Sequence, residues 1–326
     1  FGDISGSAVS DTAAVGAVMI PEMKRRGYRA DFCAALQGAA GTLGMLAPVS
    51  ITILLYSTAL NVSFSRLAAA TFLPAMLVAG SFMIWAYVHS RRHNYPTEKV
   101  SRSLVIPRIL RALPGLFAAL LVVGGILGGI FTPAEVGSIL LAYVFLLSLV
   151  SARSLGARQF YRMTVEAAYT SGMTLLLVAA SAFLGFVMAH GLVSEFIVQS
   201  VTDITSNEYV TILLVNLVFI VLGMGLEAPA MIFGFLPSFI PLLQKAGVDL
   251  VHFGMIFSIN MGIGMLVPPV ALNLFVSSRL AGVRYGEAVL AAVPFILIMI
   301  VDLALVVLFP QIALLLPNLL YGHPIK

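Results

Sequence analysis

Five stretches of this chain, residues 116–130, 136–150, 172–188, 210–224 and 288–309, are almost entirely apolar. Each is near or above the length that crosses ~30 Å of hydrocarbon as a helix. Inside a bilayer no water satisfies the backbone, so such stretches must become helices or close into a barrel. Composition agrees, with 60% of the 326 residues hydrophobic and 10% charged, against roughly 25% charged in soluble domains. The sequence therefore predicts an all-α polytopic membrane protein. The single cysteine, Cys33, rules out an internal disulfide and, among apolar neighbours, reads as a small packing residue. The chain begins at Phe1 with residues that already belong to a motif, so upstream helices are expected and the lack of a signal peptide carries no information.

The positions of the cations say more than the net charge of +4. Let the cluster Lys24, Arg25, Arg26 and Arg29 be cytoplasmic and thread the chain from there. Fifteen of the 18 Lys and Arg residues then share that side, and only Arg66, Lys245 and Lys326 lie opposite. This is the positive-inside asymmetry, so the basic balance reports orientation and no nucleic-acid partner is expected. Arg102, Arg108 and Arg111 are expected to anchor a basic arm along the membrane surface. The opposite face, with Asn61, residues 190–208 and Gly247, offers a mostly uncharged surface on which a soluble protein would touch Ser206 or Asp249 and not Arg158.

The threading closes only if residues 5–27 and 210–247 enter and leave by one face, as re-entrant hairpins with tips at 5–7 and 223–229. Each hairpin precedes a helix interrupted by glycine and proline. "GMLAP" at 44–48 interrupts the first, and "GMLVPP" at 264–269, 220 positions later, interrupts the second. At the same offset Ile20 and Pro21 match Ile240 and Pro241, Gly27 matches Gly247, Ser57 matches Ser277, and Pro74 matches Pro294. The threading opens the two hairpins toward opposite faces, which makes the repeats inverted. Inverted repeats with discontinuous helices are the signature of secondary transporters, whose site lies near the midplane. Unwound backbone there must line a cavity or be covered by protein. Proline removes a donor and leaves carbonyls for a small cation, while the half-helix after Pro48 or Pro269 offers its N-terminus to a carboxylate. Packing kinks are the alternative account of the breaks.

Five motifs in order, "SGSAVSDTAAVGAVMIPEMKRRGY", "GTLGMLAPVSITILLY", "GGIFTPAEVGSILLAY", "VHFGMIFSINMGIGMLVPPVALNLFV" and "LFPQIALLLP", resemble the successive signatures of the large membrane subunit of tripartite ATP-independent periplasmic (TRAP) transporters. The resemblance covers essentially the whole chain. It implies an elevator-type, ion-transporter-like carrier in the bacterial inner membrane, coupled to sodium and needing no other cofactor. The implied partners are a small membrane subunit, a soluble periplasmic substrate-binding protein and a small organic acid, within the lipid bilayer. Two departures stand out: Val49 follows Pro48 where the family usually has a second proline, and Glu227 stands where many members have aspartate.

On this resemblance Ser5, Gly6, Gly41, Thr42 and Gly44 form a first sodium site, and Gly225, Glu227, Gly262 and Gly264 a second. Ser7, Pro48, Ser50, Pro269 and Asn273 would face the substrate. Other readings stay open: the serines can serve as hairpin caps, and Asn273 can either donate to substrate or satisfy backbone freed by the break. Asp11, Glu227 and Asp302 are intramembrane carboxylates and so candidates for coupling, although Asp302 belongs to no motif and an interhelical partner would equally explain it. The expected division is 1–60 with 163–282 as transport domain, 61–115 and 116–162 as scaffold with arms, and 283–326 as a C-terminal helix and tail. No G-x-x-x-x-G-K-[ST], H-E-x-x-H or G-x-S-x-G occurs, so an enzyme is not expected. A membrane enzyme using Ser5 or Ser7, a proton-coupled or binding-protein-independent carrier, and a channel remain as alternatives.

Overall fold

A computed structural model describes residues 1–95, 102–148, 156–205 and 207–322. Ser206, Lys99, Arg153 and Lys326 lie outside the described residues, as do the side chains of Arg102, Arg108 and Arg111. The described residues are helical and contain no strand. In order they form α1 (Gly2–Ser5), α2 (Ala8–Arg25), α3 (Ala30–Gly41), a 3-10 turn (Thr42–Leu46), α4 (Ile51–Leu60), α5 (Phe64–Arg92), α6 (Arg102–Leu127), α7 (Pro133–Leu147), α8 (Ala157–His190) and α9 (Val193–Thr202). There follow α10 (Glu208–Gly223), α11 (Ala228–Ala230), a π-turn (Met231–Phe235), α12 (Leu236–Lys245), α13 (Leu250–Gly264), α14 (Leu272–Ala281), α15 (Tyr285–Leu308) and α16 (Gln311–Tyr321).

Among the described residues four stretches are long and apolar enough to cross a membrane: Ala30–Leu60, Phe64–Arg92, Arg158–His190 and Tyr285–Leu308. Their outer faces carry Phe72, Met83, Leu175, Phe183, Leu290 and Leu297 in the open. Apolar surface on this scale, on helices of this length, belongs against lipid or another membrane helix. The protein is therefore a multi-pass membrane protein. Helix α6 runs unbroken from Arg102 through Pro107 and Pro114, so the basic stretch is the first part of a longer helix. Helix α8 has 34 residues, about 51 Å at 1.5 Å per residue, and meets the rest of the chain where Gly185 lies against the Phe233 carbonyl.

The centre is α13, which is buried from Val251 to Gly264, its polar residues His252, Ser258 and Asn260 included, and is therefore an inner helix. Lipid tails are as apolar as leucine, so close packing holds such helices together. Phe257 and Phe253 of α13 meet Phe219 of α10 edge-on, with ring centroids 5.5 and 6.3 Å apart.

The two interrupted helices lie side by side and antiparallel. Tyr56 Oη near the end of α4 donates to the Leu250 carbonyl at the start of α13, 2.8 Å away. Gly262 faces Thr42, Asn273 reaches Gly38, and Leu274 and Ser277 flank Gly38. The cations mark the ends. Lys24 Nζ donates to the Ala281 carbonyl at 2.7 Å, so the end of α2 and the end of α14 share one basic end. Arg29, paired with Asp31 at 2.6 Å, lies there too and its N–H meets Tyr95 Oη. Arg66 is at the other end, donating to Gly322 O at 2.7 Å and Asn318 Oδ1 at 2.9 Å.

Candidate ion and substrate site

The first interruption follows from its residues. Thr42 begins a 3-10 turn, its N–H bonding the Ala39 carbonyl. The chain is extended at Ala47 and restarts as a helix after Ser50, which caps α4 by accepting the Ile53 N–H at 3.2 Å. The same hydroxyl donates to the Met45 carbonyl at 3.0 Å, closing the loop on itself. Ser50 and Thr42 are buried.

The hairpin tip meets this interruption. Gly6 ends α1 with φ at 62°, a left-handed conformation that glycine adopts without penalty. Its carbonyl accepts the Ile51 N–H at 3.2 Å, and a Cβ on it would stand 2.9 Å from the Val49 carbonyl oxygen. The first amide of α4 is thus taken by the tip and the third by Ser50. Ser7 caps α2, accepting from Ser10 N at 3.4 Å. Ser5 Oγ donates to Asp11 Oδ1 and accepts the Ser7 N–H at 3.2 Å. Asp11, 5% exposed, lays its Oδ2 against the Cα face of Gly44 so closely that a Cβ there would collide with it. One turn back, a Cβ on Gly41 would collide with Thr12 Oγ1 and stand 3.0 Å from the Ala8 carbonyl. Glycine at both positions lets the N-terminal end of α2 lie directly on the break. Ser5, Gly6, Ser7, Asp11, Gly41, Gly44, Pro48 and Ser50 are therefore gathered in one place. Beside them is a cavity of about 420 Å³, lined by Asp11, Gln37, Gly41, Gly44 and Pro48 together with Phe72 and Met76 of α5. Thr42 turns its hydroxyl away, to the Ala39 carbonyl at 2.7 Å and Met299 Sδ at 3.7 Å.

The second interruption is built differently. Gly264 packs on the backbone of Gly223, where its missing Cβ leaves room for the Gly223 carbonyl, and Gly262 packs on Thr42 and Met299. Gly225 and Glu227 are exposed, and a Cβ on Gly225 would meet nothing within 4 Å. Pro269 is exposed, its carbonyl 3.4 Å from Tyr285 Oη. Asn273 is fully buried, and its Nδ2 donates to the Gly38 carbonyl at 3.1 Å. That carbonyl is available because the Thr42 N–H bonds Ala39 instead. Asn273 thus satisfies backbone freed by the other repeat's break, while its Oδ1 has no partner among the described residues.

Three contacts were not read from the sequence: Thr12 against Gly41, Gly223 against Gly264, and a buried amide pair, Asn260 Nδ2 donating to Asn216 Oδ1, which joins α13 to α10. The nearest signal was the placement of single polar residues inside apolar helices. Asp302 is 2% exposed in α15, accepts from Ser81 Oγ of α5 at 3.0 Å, and keeps Oδ2 without a partner among the described residues.

Residues 1–312 match the family model described as the DctM component of the tripartite ATP-independent periplasmic transporter. The chain belongs to this family. It is 32% identical over 319 residues to the C4-dicarboxylate TRAP transporter large permease protein DctM of Pseudomonas aeruginosa, covering 98% of this chain and 75% of that protein. It is 30% identical over 324 residues to the sialic acid TRAP transporter large permease protein SiaM of Vibrio cholerae, covering 99% and 76%. Against the isethionate TRAP transporter permease protein DctMQ of Oleidesulfovibrio alaskensis the identity is 32% over 314 residues, 96% of this chain and 49% of that protein. These TRAP relatives are transporter permeases, and the chain is accordingly a transporter subunit and not an enzyme.

Proposed function

We propose that this large permease subunit imports a small organic acid across the bacterial inner membrane by sodium symport. It receives the substrate from a soluble periplasmic binding protein and works beside a small membrane subunit. One observation carries the reading: the tip of the first hairpin, with Ser5, Ser7 and Asp11, meets the glycine break at Gly41 and Gly44 beside a cavity. Hydroxyl, carboxylate and unwound backbone oxygens together are the ligands a hard cation takes. The relatives named above are labelled for a C4-dicarboxylate, sialic acid and isethionate, all acidic solutes. In this reading the two hairpins are re-entrant and the repeats inverted. The body formed by 1–60 and 163–282 moves as an elevator against 61–162, and Gly262 and Gly264 border a second ion.

Two sodium ions suit such a carrier. A tenfold sodium gradient supplies ~1.4 kcal/mol per ion, and one net charge crossing ~100 mV adds ~2.3 kcal/mol. Two ions with a monoanion thus give about 5 kcal/mol, enough to concentrate substrate several thousandfold.

The test is uptake in proteoliposomes with the binding protein and small subunit present. Saturable uptake that follows sodium with a Hill coefficient above one supports the proposal. Uptake that persists undiminished when a proton gradient replaces sodium overturns the coupling ion, and efficient uptake of free substrate without a binding protein overturns the tripartite assignment. A proton-coupled reading has one observation in its favour, the unpartnered Asp302 oxygen, and would turn attention to Asp11, Glu227 and Asp302.

A further inference from the structure

Gln37 stands on α3 one turn before Gly41. It packs over α2 at Gly16, where an added Cβ would lie 3.0 Å from its Cγ. The residue is 8% exposed, and its amide makes no hydrogen bond among the described residues. An amide buried in that way is costly unless something pairs with it. Gln37 lines the cavity of about 420 Å³ beside the first break, so its partner is whatever the cavity holds. Asp11, which accepts from Ser5 Oγ, is the other polar side chain of the lining. Leu43, Phe72, Met76 and Val123 are among the apolar ones, and no lysine, arginine or histidine lines the cavity among the described residues.

We propose that Gln37 binds the carboxylate of the substrate, and that this substrate is a monocarboxylate with an apolar body. The inference rests on reading the cavity as the transport site. The Gln37 amide offers two N–H donors, which suit the oxygens of one carboxylate, and the coupling cation beside Ser5 and Asp11 offsets its charge. A second carboxylate would have neither a cationic side chain nor another side-chain donor to meet. It would lie against Leu43, Phe72, Met76 or Val123, and so would the hydroxyls of a sugar acid. Each buried polar group left without a partner weakens binding on the order of ten- to a hundredfold. Space is not the limit: a cavity of about 150 Å³ takes benzene, so this one has room for a branched chain or a ring as well as the carboxylate.

The experiment uses the complete transporter in nanodiscs and follows its thermal unfolding as 4-methylpentanoate, succinate or sialic acid is added, with and without sodium. With sodium, 4-methylpentanoate should stabilise the protein saturably, at a concentration at least tenfold below that needed for either of the other two. Gln37→Leu, of similar size, should weaken 4-methylpentanoate roughly tenfold or more. Without ligand the same variant should unfold at the wild-type temperature or above it, because the amide it loses had no partner; a merely structural glutamine would show the reverse. Succinate or sialic acid binding as tightly as 4-methylpentanoate overturns the proposal, as does undiminished binding by Gln37→Leu. A wild-type protein that none of the three stabilises overturns it equally. Preferential 4-methylpentanoate binding that ignores sodium would uphold this inference while counting against sodium symport.

Discussion

Gly44→Ala probes the contact between hairpin and break with one methyl group. The added carbon has nowhere to go: it collides with Asp11 Oδ2 and stands 3.3 Å from the Ala8 backbone nitrogen. The carboxylate must swing aside, and in doing so it releases the Ser5 hydroxyl that donates to its other oxygen. A hydrogen bond to a charged group contributes about 1.5–3 kcal/mol, and at about 1.36 kcal/mol per decade this lowers occupancy of the assembled site roughly ten- to a hundredfold. The assay is initial uptake in proteoliposomes as a function of sodium, alongside thermal unfolding in nanodiscs. The half-saturating sodium concentration should rise by that factor. The fold should survive, because the carboxylate is the far end of a side chain and yields before backbone does. Gly80→Ala in α5 is the matched control: a Cβ there meets nothing within 4 Å, and the change should be neutral or stabilise the helix by up to ~1 kcal/mol. Wild-type sodium dependence in Gly44→Ala, or an equal loss in Gly80→Ala, would refute the reasoning.

Gly264→Ala should be the more damaging change to folding, since its Cβ would run into the Gly223 carbonyl and backbone has no easy way to yield; a sharp drop in folded, membrane-inserted protein by size-exclusion chromatography is expected. Asn273→Ala strips the Gly38 carbonyl of its buried donor, and thermal or denaturant unfolding should show a loss of about 1–3 kcal/mol. Asp302→Asn keeps the size of the side chain and its contact with Ser81; if sodium alone drives transport, uptake and its Hill coefficient should stay near wild type, and loss of uptake with intact folding would point to a proton at this position.

The interruptions were legible because glycine and proline act locally: Gly41, Gly44 and Pro48 announce a break whatever surrounds them, and so do Gly262, Gly264, Pro268 and Pro269. The offset of 220 residues paired the two breaks, and the charges of Lys24, Arg29 and Arg284 marked which ends belong together. What could not be read was register. Whether Gly264 meets Gly223 or Gly225 depends on how far α10 slides along α13, and the buried Asn216 and Asn260 pair sits between those same two helices. The mirror-image expectation for Gly225 and Glu227 rested on the likeness of two sequences alone, and both residues are exposed. Only the first break has a serine-rich tip laid across it. Likewise Asn273 carries a polar group whose partner, the Gly38 carbonyl, exists only because a turn 235 residues away tightens at Thr42.

That bond between Asn273 and Gly38 ties the two halves of the molecule into a common fate. The carbonyl set free by one half's break finds its donor on the other half, and Lys24 of the first half closes the last turn of α14 in the second. Neither half made alone would bury these groups without leaving some of them bare in hydrocarbon. A single unit of this kind would need a second, antiparallel copy of itself before these groups were covered. Joining two such units in one chain guarantees that meeting. It also means that α14 and α3 are held in register by a buried bond, and a shift of either along its axis would strip the Gly38 carbonyl of its donor.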